Sequence, residues 1–272
     1  MKNSMYLKTL GILLLAASSA GAAVMSLQQG DLRLDGALYG AGAAYAGAVD
    51  GSVNDNNPTA TITAITSNVI GNQFQTTTNA NTGTSGIQWN GLFSYNLTEL
   101  ANYLAANPGF SVSAASFTLI KTTTGTAGST LNLYQTQPFT GSASWNTYDG
   151  TNAWPAPNAV NNGGGLVGGG TELLKLNSNG VFSNGSSPMT WSNSANSNFV
   201  DAIYDALARG DKTLYMAVIT DFGFNGDGRI TYSDLSDATV NNRPELSITI
   251  VPEPSTALLG ALGFIALLRR RR

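Results

Sequence analysis

Neither cysteine nor histidine occurs in the 272 residues. Without cysteine, an exported domain has no disulfides and must rely on a buried core, which a chain of this length can build. Without histidine as well, Ser-His-Asp and Cys-His nucleophile systems are excluded. So are zinc or copper sites built on imidazole or thiolate. Catalysis could fall only to carboxylates, lysines and tyrosines, and glutamate is confined to Glu99, Glu172, Glu245 and Glu253. A glycosidase needs two carboxylates about 5 to 9 Å apart, and no local cluster of acids marks such a pair. The chain is therefore read as a non-enzyme. Charge is scarce too, at 11% of residues, roughly half the usual share. Long solvent-facing helices draw on Glu, Lys and Arg, so this scarcity disfavours them.

What is abundant is Asn, Thr, Ser and Gly, with 31 glycines, beside a hydrophobic content of 42%. That hydrophobic share is enough for a core and argues against wholesale disorder. The polar remainder suits short strands joined by turns.

The two ends differ from the middle. Lys2 and Lys8 precede and flank an apolar run from Leu10 to Ala17, and Ala20, Gly21 and Ala22 supply small residues for cleavage. This is the pattern of a secretory signal peptide over residues 1–23, removed by signal peptidase. At the other end Pro252, Glu253 and Pro254 make an extended boundary that refuses helix. An apolar stretch from Thr256 to Leu268 follows, then Arg269, Arg270, Arg271 and Arg272. Thirteen helical residues rise about 20 Å, short of a bilayer core of about 30 Å. The arginines act as a positive-inside stop and can snorkel to lengthen the span. Six of the 13 basic residues lie in these two ends; the seven others face 15 acidic ones, Glu253 of the tail left aside, a net charge of −8. So acidic a body is a poor partner for nucleic acid.

The order Pro-Glu-Pro, short apolar helix, terminal Arg cluster resembles the PEP-CTERM sorting signal. That resemblance implies a Gram-negative bacterium making extracellular polysaccharide, with processing by exosortase, a membrane transpeptidase. It further implies export across the inner membrane, transient anchoring by the C-terminal helix, and a final place at the cell surface or outside the cell.

Between the ends, residues 24–250 form the body. Short alternating segments separated by turn residues run through 24–195 with no helical period. Thr59–Ile65, Ser111–Thr122 and Thr130–Gln135 alternate as strands do. Thr213–Thr220 reads as a buried strand and Pro244–Val251 as the last one. Residues 158–170 are a glycine-rich loop. One helix is expected over Asn198–Arg209, with Phe199, Ile203, Ala206 and Leu207 on one face and Gly210 placed to end it. The reading is all-β: an antiparallel β-sandwich, jelly-roll-like, with one short helix.

Five body segments resemble, in order, the DNRLRE or carbohydrate-binding-module-like β-sandwich domains. They are Gly91–Leu100 (GLFSYNLTEL), Phe117 and Leu119 with the following threonines, Ser144–Pro155 (SWNTYDGTNAWP), Phe199–Gly210 and Asn242–Ile250 (NRPELSITI). The basic residue of the family's RFD-like strand is replaced by Phe93 or Ser94, and its opening strand is not evident between Asp31 and Gln88. The resemblance therefore implies a fold and no binding residues.

Two stretches carry candidate chemistry. Trp145, Tyr148 and Trp154 could stack on sugar faces, with neighbouring Asn and Asp bonding hydroxyls, or could pack the sandwich edge. Residues 223–234 (GFNGDGRITYSD) resemble a calcium loop of the EF-hand or dockerin type: Asn225, Asp227 and Asp234 fall at ligand positions, and Asp221 could join them. Gly223 stands where the first ligand belongs, so a plain turn into a strand at Arg229–Tyr232 is the competing reading. No cofactor is expected beyond such a structural calcium. The function inferred is an exported surface or matrix protein that binds or organises extracellular polysaccharide. A purely structural surface protein and a carbohydrate-active enzyme are the alternatives.

Overall fold

The computed structural model describes residues 21–63, 68–78, 85–122, 131–154, 175–176, 187–192, 198–220 and 229–253. The leader, the glycine-rich loop, the first half of the candidate calcium loop and the tail beyond Glu253 lie outside these residues.

Among the described residues, two antiparallel sheets make up the body. The first runs β3 (Ala37–Leu38), β2 (Asp31–Leu34), β1 (Ala23–Gln28), β12 (Glu245–Pro252), β7 (Phe110–Leu119), β9 (Met189–Ser192). The second runs β11 (Ile230–Thr231), β5 (Val69–Thr78), β6 (Ser85–Asn96), β10 (Thr213–Thr220), β8 (Leu131–Gln135), and β4 (Ala48–Asn54) also pairs with β6. Among the described residues two α-helices, α1 (Thr98–Ala106) and α2 (Asn198–Ala208), link strands.

Alternation decides which side chains meet. In β12, Leu246, Ile248 and Ile250 are buried while Ser247 and Thr249 are not. Met25 and Leu27 of β1 and Phe117 of β7 point the same way, and Phe93, Tyr95, Leu214, Met216 and Val218 face them from the second sheet. Phe117 is the centre of an aromatic stack, 4.8 Å from Phe93 and 5.7 Å from Trp191 between ring centres. Trp191 Nε1 donates to the carbonyl of Leu131 at 2.9 Å, so a side chain of the first sheet is tied to the backbone of the second. Each such buried aromatic or aliphatic side chain contributes about 1.5–3 kcal/mol.

A second cluster sits on the outer face of the second sheet. Leu92, Ala217 and Ile219 alternate with the core residues of β6 and β10. They are covered by Phe139, Ala143, Trp145 and Trp154 with Val53 and Ile62. That is why Thr213–Thr220 reads as buried on both faces: one face meets the first sheet, the other meets the 139–154 segment.

Four expectations are corrected. A second helix, α1, occupies part of the segment read as strand and turn; Leu97 and Leu100 bury one face, with Leu104 packed beside them. Between Asp31 and Gln88, where no opening strand is evident in the sequence, lie β2, β3, β4, β5 and the start of β6. Thr59–Ile65 does not form a strand where described: Thr61 makes one bridge to Ser144, and Ile62 N donates to Ala143 O. After α2, the left-handed backbone falls on Lys212 (φ +48°) and not on Gly210. The remaining helix and the strands at 110–119, 131–135, 213–220 and 245–252 lie where expected.

Candidate functional site

The chain begins and ends its body on adjacent strands. Ala23 pairs with Ile250, and β1 and β12 run antiparallel, so the start of the body and the start of the tail leave the same end of the first sheet. Beyond Ile250, Val251 pairs with Ser111 and Pro252 with Phe110 on β7. Proline offers no N–H to a ladder, which suits the last position of a strand. Glu253 N then donates to the carbonyl of Gly109 at 2.6 Å. Gly109 takes φ +99°, a backbone that side-chain-bearing residues avoid, and so turns the chain from α1 into β7. Asn107 closes α1 by donating from Nδ2 to Tyr103 O at 2.8 Å. Of the sorting residues, Pro252 and Glu253 are thus seated against the body, while Pro254 and Arg269 to Arg272 lie outside the described residues.

The three aromatic candidates come together, but as core. Trp145 is 4% exposed and Trp154 2%. Trp154 Nε1 donates to Ser144 O at 2.9 Å, and its ring lies 6.4 Å from Phe139 and 6.1 Å from Tyr148. Neither tryptophan has a free face for a sugar ring, so the stacking reading is corrected for both. The turn that folds them inward is built by Asp149, whose Oδ1 accepts from Thr151 N at 2.9 Å and Asn152 N at 2.7 Å. Hydrogen bonds from the Asn152 backbone, the Asn152 side chain and Thr151 hold its carboxyl below the usual range. Gly150, at φ +88°, completes the reversal. Tyr148 is half-buried and is the one ring of the three that reaches solvent.

Asp221, Asn225 and Asp227 lie outside the described residues. Asp234 is placed, and its oxygens are engaged in a turn. Oδ1 accepts from Ser236 N at 2.8 Å and Ser236 Oγ at 2.7 Å, and Oδ2 from Asn68 Nδ2 at 2.7 Å. Against the desolvation of partial burial, these bonds from Ser236 and Asn68 lower its pKa. Among the described residues no group of three or more acids, histidines or cysteines is placed to hold a metal.

Asp50 of β4 was not singled out in the sequence. Its Oδ2 accepts from Leu235 N at 3.2 Å, one residue beyond Asp234. Burial, then the neighbouring Asp234 charge, push its pKa up to about 7. A lone acid in AVDGSVN carries no sequence signal, because the second acid reaches it from far along the chain.

In class, then, this is a two-sheet antiparallel β-body whose last strand runs without a break into a terminal signal. Residues 251–272 match the family model of the PEP-CTERM protein-sorting motif. The motif implies export and sorting to the cell envelope or surface. No curated protein matches the chain. Among the described residues no helix is long and apolar enough to cross a membrane.

Proposed function

We propose that the chain is an exported, non-catalytic surface or matrix protein, freed of residues 1–23 or so by signal peptidase and sorted through its tail by an exosortase-type transpeptidase. One observation carries this reading: the sorting motif at 251–272 continues directly from the last strand of a folded β-body. The absence of histidine and cysteine from the whole sequence supports a non-catalytic body. The ordered likeness to DNRLRE-type domains supports a β-sandwich fold for that body. Extracellular polysaccharide as a partner is the second reading. It is favoured by half-exposed Tyr148 beside exposed Asn146 and Asn152, a ring edge next to amides suited to hydroxyl groups. Polysaccharide pull-down with the parent body and with Tyr148→Ala checks it.

The sorting reading has its own test. Replacing Pro252, Glu253 and Pro254 together by alanine is expected to leave export intact. It should shift the protein among membrane, surface and medium. An unchanged distribution on fractionation counts against sorting through the tail.

A further inference from the structure

The sorting motif and the body share backbone. Val251 and Pro252 belong at once to the motif and to the ladder with β7, and Glu253 is tied to Gly109. Val251 and Pro252 are half-buried, and Glu253 is exposed. Extended peptides are commonly recognised by strand addition, through the backbone groups that a sheet would otherwise occupy. In the folded chain β7, with Gly109 just before it, already lies along one side of residues 251–253.

We propose that the body gates its own sorting signal: residues 251–253 must peel from β7 before a processing enzyme can take the motif. This rests on the sorting reading above and adds a control step to it. The rungs are suited to opening. They lie at the end of a strand, where local fraying is least costly. Pro252 donates nothing to them. On the other side, the last pair between β1 and β12 is Ala23 with Ile250, so, among the described residues, 251–253 are held from one side only. Upstream, Leu246, Ile248 and Ile250 are fully buried and hold the rest of β12 in place, so peeling stops there. The result is a folded body that presents its signal only transiently, with a chain that has not closed its last strand exposing it freely.

Two full-length variants, expressed in cells with a PEP-CTERM sorting system, test the proposal by pulse-labelling and following conversion of the tailed precursor. The first inserts six Gly/Ser residues between Ile250 and Val251, which frees residues 251–253 from the ladder and keeps the motif at 251–272 contiguous. The second pairs Val251→Cys with Ser111→Cys. These residues are direct cross-strand partners, whose typical separation suits a disulfide, and the chain has no other cysteine. The insertion is expected to speed conversion about threefold or more, and the oxidised cysteine pair to slow it about tenfold, as a change in local opening would. Reductant should return the cysteine variant to the parent rate, which separates locking from misfolding. Parent-like rates in the insertion and in the oxidised variant would overturn the gate. Failure of the sorting reading has a different signature: the combined Pro252, Glu253 and Pro254 replacement converts like the parent.

Discussion

Trp154→Ala is expected to lower the stability of the body by about 3–5 kcal/mol, the usual cost of truncating a buried tryptophan. At roughly 2–4 °C per kcal/mol for a domain of this size, the melting temperature should fall by on the order of 10 °C. Two losses add. The ring fills the space between Phe139, Tyr148 and the outer face of β6 and β10, so its removal leaves a cavity. It also leaves the Ser144 carbonyl without its indole donor inside the protein. Trp154→Phe keeps most of the packing and loses only the bond, so it should cost far less, about 1–2 kcal/mol. Thermal melting of the purified body distinguishes the roles. A ring that served as a sugar platform would leave the melting temperature unchanged on truncation and abolish glycan binding instead.

That second cluster also marks where the sequence stops being legible. The pattern of β12 could be read residue by residue, because one face is core and the other is polar. The same held for α2, whose buried Phe199, Ile203 and Ala206 recur at helical spacing. Trp145 and Trp154 sit in a polar, turn-rich stretch with no alternation around them. Whether such rings face solvent or a sheet depends on what covers the outer face of β10, and that is a tertiary fact. The one available signal lay elsewhere: TLYMAVIT is apolar on both faces, so something had to cover the second.

Helix α1 was overlooked for another reason. Leu97, Leu100, Ala101 and Leu104 do follow helical spacing, but the run is short and abuts a strand pattern ending at Tyr95, and the two periods overlap. The opening strands were hidden by their brevity and by the glycine and alanine between them. β2 spans four residues and β3 two, too few for alternation to stand out. The sorting motif was legible because it is contiguous and contains its own chemistry. Its seating on β7 was not, since the partner residues lie about 140 positions earlier in the chain.

Asp50→Asn is expected to stabilise the body at pH 8 and to remove a pH dependence that the parent shows. In the folded state the Asp50 carboxyl titrates near 7, chiefly because burial strips water from its charged form and secondarily because Asp234 repels it; the Leu235 N–H opposes both. Unfolded, an aspartate titrates near 3.9. Between roughly pH 4 and pH 7 the folded state therefore holds the extra proton. The stability linked to this group is present in full below about pH 4. It declines as pH rises toward 7, by up to about 1.4 kcal/mol per unit, and is flat above. Allowing for water at this partly exposed side chain, the total is about 1–3 kcal/mol. Asp234 has the opposite sign: its lowered pKa makes it stabilising above its unfolded value and costs stability only as acid protonates it. The hydroxyls of Tyr95 and Tyr232, whose pKa values burial raises and Asp50 raises further, stay neutral through this range. Asparagine keeps an acceptor for Leu235 N and carries no charge at any pH. Denaturant unfolding at pH 5 and pH 8 should show the parent losing stability between the two and Asp50→Asn losing little. Parallel losses in parent and variant would mean that Asp50 is already ionised and well solvated in the fold.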